Sequence, residues 1–141
     1  MRVVLYTSVL VAAIRSDRGA AKVLVNLILI SKVTLLLNYL VACEYRAVGL
    51  RRDHLSASKG SQGEIARLIQ KLEDVAEPVE IFKSYRPLSP DPNDDLVLDL
   101  AINGRADAIV TNNIRHLREP AARFHIAVLD ARMALGTIKS S

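Results

Sequence analysis

The sequence contains a single cysteine, Cys43, and this scarcity limits both its compartment and its chemistry. One cysteine cannot form a disulfide within the chain, so a reducing cytoplasm is the simplest location. A zinc site is disfavoured as well, because His54, His116 and His125 lack the spacing of metal ligands. The chain also has no Walker A, G-x-G-x-x-G or G-x-S-x-G motif, which removes the common signatures of nucleotide binding and serine hydrolysis.

Long apolar runs are missing too. The segment from Ala20 to Cys43 is interrupted by two lysines and two asparagines, so it lacks the roughly 18 uninterrupted apolar residues of a membrane-spanning helix. The opening run VVLYTSVLVAAI follows only one basic residue and precedes no clear cleavage site, so we interpret it as a buried strand rather than a signal peptide. We therefore expect no membrane association.

What is present is an ordinary globular composition with a modest basic excess. The chain has 141 residues, is half hydrophobic and a quarter charged, and carries a formal net charge of +4. This length predicts a single domain spanning residues 1–141. The positive charge favours polyanionic partners only weakly, and a solvated surface explains it equally well.

Apolar runs and helical periodicities alternate along the chain. This alternation predicts a parallel sheet with helices on both faces, in which ligands bind beyond the carboxyl ends of the strands. The predicted strands are Val3–Tyr6, Thr34–Leu37, Val79–Phe82, Asp107–Thr111 and Ile126–Leu129. The predicted helices are Gly19–Ile30, Tyr39–Leu50, one behind a capping box at Ser61–Glu64, one from Asp94 to Gly104, and a terminal helix capped by Asp130.

One acid lies on the apolar face of the helix that begins near Asp94. At 100° per residue Asp94 falls beside Val97 and Leu98, whereas Asp95, Asp99 and Asn103 form a stripe that we interpret as the solvent face. A carboxylate on an apolar face is costly unless it is paired, hydrogen-bonded or metal-bound. Two interpretations stay open, because an acid in the first turn also favours helix formation.

Glu44 also lies on the apolar face of a predicted helix. It lies among Leu40, Val41 and Val48 on its own helix, where a buried acid is either paired with a donor or functional. Two such acids without a buried lysine suit a hard cation, Mg²⁺ or Mn²⁺. In a basic protein such an ion suggests phosphodiester chemistry. Asp91 and Asp95 are candidate helpers, Asp95 only as a weak ligand because we expect it to face solvent.

Basic residues close to the predicted site are candidates for phosphate contacts, although a solvated surface is an equally good explanation. These candidates for nucleic-acid binding are Arg51, Arg52, Arg115, His116 and Arg118.

Four stretches together resemble a PIN domain, most closely the toxin components of toxin–antitoxin systems related to VapC-type toxins. The likeness spans nearly the whole chain and implies a three-layer α/β/α fold with a central parallel sheet. It also implies a metal-dependent endoribonuclease paired with an antitoxin. The stretches are VVLYTSVLV (3–11), ACEYRAVGL (42–50), PLSPDPNDDLVLDLA (87–101) and ADAIVTNNIRHL (106–117).

Only part of the family's cluster of acidic residues is matched by this sequence. The second and third acids match Glu44 and Asp94, which the resemblance marks as catalytic and metal-binding, and the fourth position falls at Asn113. The first acid is replaced by Tyr6, and the asparagine that follows it in the family is replaced by Ser8. Tyr6 is neutral near pH 7, so we expect weak Mg²⁺ or Mn²⁺ binding or none. Tyr6, Thr7, Ser8, Asp91 and Asn113 are expected to line the site.

Three functions are compatible with this pattern. One is a toxin-like ribonuclease with reduced activity, acting on RNA and inhibited by a cognate antitoxin. The second is a catalytically inactive module of the same fold that binds RNA or an antitoxin, and a purely structural role as a homodimer is a third possibility. Tyr6 is the feature that separates the first function from the second.

Overall fold

The computed structural model describes residues 1–16, 18–49 and 62–140. These ranges contain five strands and seven helices in an α/β architecture. The strands are β1 (Arg2–Leu5), β2 (Thr34–Leu37), β3 (Glu77–Pro78), β4 (Ala108–Val110) and β5 (Ala127–Leu129). The helices are α1 (Thr7–Arg15), α2 (Ala20–Leu29), α3 (Tyr39–Gly49), α4 (Gln62–Val75), α5 (Pro92–Asn103), α6 (Ile114–Ala122) and α7 (Ala131–Ser140).

All five strands run parallel, in the order β3-β2-β1-β4-β5. Strand β1 lies at the centre, with Val3 opposite Leu35 of β2 and Ala108 of β4. The chain moves outward from β1 in one direction through β2 and in the other through β4. The boundary between β1 and β4 is therefore the topological switch point, where a crevice forms beyond the carboxyl ends of the strands.

The helices cover both faces of this sheet, giving the three-layer α/β/α arrangement that the resemblance implied. Helices α1, α2, α3 and α4 pack against one another, and α7 packs on α2. Helix α5 lies across β1, β2 and β4 and packs against α6. The central strands are fully buried on both faces, which explains why they read as continuous apolar runs rather than as alternating patterns. Within the described residues, no helix is both long enough and apolar enough to cross a bilayer.

Several predicted elements agree with the structure. Strand β2 has the predicted bounds, and α2 is one residue shorter at each end than predicted. Helix α3 begins at the predicted Tyr39, and its predicted last residue, Leu50, lies outside the described residues. Asp130 caps α7, because its Oδ1 accepts a 2.8 Å hydrogen bond from the backbone N–H of Met133. The predicted capping box begins at residue 61 and so lies partly outside the described residues.

Other predictions were wrong. The run after Leu5 is helix α1 and not a continuation of the strand, and the segment after Asn113 is helix α6 and not a loop. Strand β3 is Glu77–Pro78 rather than Val79–Phe82. Helix α5 begins at Pro92 rather than at Asp94, because Asp91 provides the cap by accepting a 2.9 Å hydrogen bond from the backbone N–H of Asn93.

The polar stripe of α5 is buried and does not face solvent, which corrects the assignment of Asp95 and Asp99. Asp95 is 6% exposed and Asp99 is 2% exposed. The segment 82–89 covers them and supplies the donors. Asp95 Oδ1 accepts hydrogen bonds from the N–H groups of Leu88 and Ser89 at 2.9 and 3.1 Å. The polar stripe therefore anchors this segment along α5.

Asp99 and Asn103 extend the same anchorage. Asp99 accepts from the Tyr85 N–H at 3.0 Å and from Arg86 Nε at 2.9 Å. Asn103 Oδ1 accepts from the backbone N–H groups of Phe82 and Lys83 at 2.9 and 3.1 Å. Backbone donors of a connecting segment thus satisfy carboxylates that the helical wheel alone assigned to water.

Candidate functional site

The candidate site lies at the carboxyl ends of β1 and β4. Tyr6 follows β1 directly, and its backbone N–H donates a 2.8 Å hydrogen bond to the carbonyl of Val110, the last residue of β4. Thr111 and Asn112 follow Val110. Since Tyr6 ends β1 and precedes α1, its side chain projects into the crevice at the switch point, where open parallel sheets place their ligands.

Tyr6 is bonded directly to Asp94. Its hydroxyl donates a 2.8 Å hydrogen bond to Asp94 Oδ1, and the hydroxyl of Ser89 donates a 3.1 Å bond to Asp94 Oδ2. Asp94 is 3% exposed. A buried carboxylate needs donors, and here two hydroxyl groups of the protein supply one for each oxygen.

The environment of Tyr6 suppresses its ionisation. Burial is the largest influence that raises the pKa of the Tyr6 hydroxyl, and the hydrogen bond to Asp94 is the second. The negative charges of Asp94, Asp91 and Glu44 raise this pKa further. The hydroxyl therefore stays protonated and keeps its role as a donor, and three acids lie near enough to Tyr6 to influence it.

Glu44 lies on the other side of Tyr6. It is half-buried on α3 and lines a depression of about 650 Å³ that it shares with Tyr6 and Thr7. The apolar wall of this depression consists of Val11, Ala12 and Val48. Glu44 is more accessible than Asp94, because it is half-buried whereas Asp94 is 3% exposed. The prediction that Glu44 faces apolar neighbours thus holds only in part, because one side of it is open to the depression.

A second depression, of about 430 Å³, contains Asp94. Asp91, Asn113 and His116 line it, together with Tyr6 and Ser8, which also border the first depression. Tyr6 and Ser8 therefore lie between Glu44 and Asp94. The structure gathers the residues predicted to line the site, Tyr6, Thr7, Ser8, Asp91 and Asn113, around these two connected depressions.

Two of the predicted acids have other partners. The side chain of Asp91 caps α5, and the carboxylate of Asp95 holds the backbone of Leu88 and Ser89. Asp95 lines neither depression. Its neighbours on the 82–89 segment account for its burial, and its role as a weak metal ligand stays a prediction.

The basic candidates have different placements. Arg115, His116 and Arg118 are exposed on α6, and the ring nitrogens of His116 lie 3.3 Å from Asn113 Nδ2. Arg51 and Arg52 lie outside the described residues. An exposed row of basic side chains beside the second depression is a suitable position for contacts with a polyanion.

The residues that the structure describes do not form a complete site for a divalent cation. Across the described ranges, no three His, Cys, Asp or Glu side chains cluster in a way that could hold a metal ion. Both oxygens of Asp94 already accept hydroxyl donors. The Tyr6 hydroxyl, which is itself protonated, contacts Asp94 and contributes no charge that would attract a cation.

Three residues that help to form the site were not predicted from the sequence. Ser89 bonds to Asp94, and its only signal was its position in the proline-rich turn before α5. Asn112 contacts Ser8, whose hydroxyl lies 3.4 Å from the Asn112 backbone nitrogen. Tyr45 is fully buried and donates a 2.8 Å hydrogen bond to the carbonyl of Leu5, which fixes the end of β1 that delivers Tyr6. No local pattern identifies Tyr45, because its partner is distant in sequence.

A parallel sheet with acids gathered at its switch point defines an α/β protein with a sheet-end site. Residues 2–115 match the PIN domain family, and the chain belongs to that family. No curated protein sequence matches the chain. Among solved structures, the fold is similar to that of a chain in a crystal structure of VapBC2 from Rickettsia felis bound to a DNA fragment from their promoter. That similarity has a TM-score of 0.60 at 19% identity and covers 92% of this chain and 98% of the other.

Proposed function

We propose that this chain is a toxin-like PIN-domain ribonuclease of a toxin–antitoxin system, with metal-dependent RNA cleavage that is reduced by Tyr6. Family membership supports the nuclease class. Glu44 and Asp94 retain two of the acidic positions, and they are the residues that we assign to catalysis. The observation that carries the reduced activity is the 2.8 Å hydrogen bond from Tyr6 to Asp94.

The reduction follows from what Tyr6 does to Asp94. A carboxylate at position 6 would repel Asp94, and a cation bound between them would relieve that repulsion. Tyr6 instead satisfies Asp94 with a neutral donor and also lies between Asp94 and Glu44. The bound Mg²⁺ or Mn²⁺ that the resemblance implies therefore has a weaker site in this chain.

A second function is favoured by the same hydrogen bond: a catalytically inactive PIN-fold module that binds RNA or a cognate antitoxin. Asp94 already has a hydroxyl donor for each oxygen, so its burial does not require a cation. The likeness to a chain of the VapBC2 structure supports an antitoxin partner. A homodimer is a further proposal that follows from the family resemblance.

The test compares RNA cleavage by the parent chain, Tyr6→Asp and Tyr6→Phe in Mn²⁺ and in EDTA. We expect weak Mn²⁺-dependent cleavage by the parent and a gain of at least about tenfold in Tyr6→Asp, since a third carboxylate adds ligand charge. Tyr6→Phe controls for loss of the hydroxyl without gain of charge. Adding Glu44→Gln to Tyr6→Asp should abolish the gain.

Other outcomes discriminate between the two functions. If the parent and Tyr6→Asp both lack cleavage while the parent binds RNA or an antitoxin, the inactive module is the correct function. Cleavage by the parent that persists undiminished in EDTA would contradict metal dependence.

A further inference from the structure

We propose that the depression between Tyr6 and Glu44 is a binding site for a guanine base of single-stranded RNA, and that it works without a divalent cation. This inference rests on the proposed function only in taking RNA as the partner. It concerns binding rather than cleavage.

The first argument is the shape and lining of the depression. Its volume of about 650 Å³ lies within the range of small-ligand pockets, which are mostly apolar with a few polar groups that set orientation. Val11, Ala12 and Val48 form the apolar wall, and the ring of Tyr6 adds an aromatic surface. Bases stack on aromatic side chains, which is the main sequence-tolerant source of affinity for single strands.

The second argument is that Tyr6 is held in place. Its hydroxyl is bonded to Asp94, and Tyr45 anchors the carbonyl of the preceding residue, Leu5. A ring held at its hydroxyl, on a backbone anchored at the preceding residue, loses little conformational freedom when a base stacks on it, so more of the stacking energy appears as affinity.

The third argument is the donor preference of the polar groups. The Glu44 carboxylate only accepts hydrogen bonds, and it lines the depression from a half-buried position on α3. Guanine presents two adjacent donors, N1–H and the N2 amino group, on its Watson–Crick edge, and a carboxylate can accept both. Adenine presents one amino donor beside a ring acceptor, which a carboxylate repels.

Asn93 and Asn112 complete the match. Both line the depression, and their amides can donate to O6 and N7 of guanine. A guanidinium group would also satisfy Glu44, but it has no acceptors for amide donors and fills a small part of this volume. Arg15 lines the same depression, and its positive charge disfavours the entry of a second arginine. The lining therefore favours a base over an arginine side chain from a partner.

The experiment measures fluorescence anisotropy of labelled UUGUU and UUAUU RNA in EDTA, so that cleavage does not contribute. We expect the parent chain to prefer UUGUU by at least about fivefold. Tyr6→Phe keeps the ring but loses the hydrogen bond that holds it, so it should weaken binding, but less than Tyr6→Leu does. Tyr6→Leu removes the stacking surface and should weaken binding by about tenfold or more. Glu44→Gln should abolish the preference for guanine.

Tyr39→Leu is the matched control, because Tyr39 is 80% exposed and lines a separate depression beside Cys43 and Arg46. It should leave both affinities unchanged. Thermal unfolding of each variant establishes that it is folded. The proposal is overturned by equal affinities for the two RNAs, by unchanged binding in folded Tyr6→Leu, or by argininamide displacing UUGUU more effectively than GMP does. The two proposals can fail separately. Absence of cleavage in every variant tested with Mn²⁺ would contradict the ribonuclease function, but it would not affect a preference for guanine measured in EDTA.

Discussion

The hydroxyl of Tyr6 donates a 2.8 Å hydrogen bond to Oδ1 of Asp94, a carboxylate that is 3% exposed and that also accepts from Ser89. A neutral donor from the end of β1 thus occupies the position from which an acid would oppose Asp94. Hydrogen bonds from two neutral hydroxyl groups therefore hold the Asp94 carboxylate in place.

Removing the Tyr6 hydroxyl should destabilise the protein, because one oxygen of the buried Asp94 carboxylate loses its donor. We expect Tyr6→Phe to lower the free energy of unfolding by about 1.5–3 kcal/mol, the usual contribution of a hydrogen bond to a charged group. Mn²⁺ should raise the melting temperature of Tyr6→Phe more than that of the parent. Urea unfolding with and without Mn²⁺ measures both effects. Tyr39→Phe, at an exposed tyrosine, should change neither quantity.

The helical wheels located Asp94 because local periodicity alone places it among Val97 and Leu98. The same wheels failed for Asp95 and Asp99, since a wheel assigns polar residues to water and cannot represent the 82–89 segment that covers them. Tertiary hydrogen bonding overrode the polarity pattern there. Strand bounds were predictable where the run was buried and flanked by polar residues, as in β2.

Helices α1 and α6 could not be predicted from their local sequences by the same reasoning. The run from Thr7 to Ala13 contains β-branched residues and no polar interruption after Ser8, so its period is ambiguous between strand and helix. Helix α6 begins with Ile114 and contains Pro120, which obscures its signal. Both helices are set by how they pack on the sheet. The pairing of Tyr6 with Asp94 spans 88 positions and has no local signal either.

The buried polar stripe of α5 should contribute strongly to stability. Asp99→Ala removes the acceptor for the Tyr85 N–H and for Arg86 Nε, so we expect a loss of about 3 kcal/mol. Glu119→Ala is the control, because the Glu119–Arg123 pair is 3.5 Å long and Glu119 is 85% exposed. An exposed pair of this kind contributes under about 0.5 kcal/mol. Equal effects of the two substitutions would show that the stripe does not anchor segment 82–89.

Glu77 should make stability depend on pH in the acid range. Hydrogen bonds from the Arg2 guanidinium, at 2.9 and 2.6 Å, hold the pKa of Glu77 below its usual value, and the charge of Arg2 lowers it further. Because the pKa of Glu77 is lower in the folded protein than in the unfolded chain, Glu77 adds to the free energy of unfolding. This contribution is present in full above the unfolded pKa of about 4.3 and is lost as the pH falls through the folded pKa.

The measurement is chemical unfolding of the parent and Glu77→Gln between pH 6 and pH 2. The parent should be more stable at pH 6, and this advantage should disappear toward pH 2. An advantage that is independent of pH would mean that the ion pair with Arg2 is not its source.

RNA binding should weaken as salt increases, because phosphate contacts release counterions. If Arg115 and Arg118 contact phosphates, replacing both by alanine should reduce the magnitude of the slope of log affinity against log salt by about 0.7 for each phosphate that is no longer neutralised. Replacing Arg132 and Lys139, two exposed cations on α7, removes the same charge elsewhere and should leave the slope unchanged. An identical change in both double variants would indicate an effect of net charge alone.

Restoring the family pattern with Tyr6→Asp and Ser8→Asn should make the protein depend on a divalent cation. The new carboxylate faces Asp94 and lies near Glu44 and Asp91, so their mutual repulsion should lower the melting temperature of the metal-free double variant. A bound cation replaces that repulsion with attraction, and a ligand that binds only the folded state stabilises it by mass action.

The melting temperature of the double variant should therefore rise with Mn²⁺ by more than that of the parent, starting from a lower value in EDTA. Titrations with Ca²⁺ and Mg²⁺ are compared with NaCl at equal ionic strength. NaCl acts by screening alone and should recover only part of the lost melting temperature. A matched pair, Tyr6→Asn with Ser8→Asn, adds the polarity without the charge and should not acquire metal dependence. If the aspartate variant is as stable as the parent in EDTA and insensitive to Mn²⁺, then the carboxylates do not converge on position 6. The reduced activity that we propose for this chain would then have another cause.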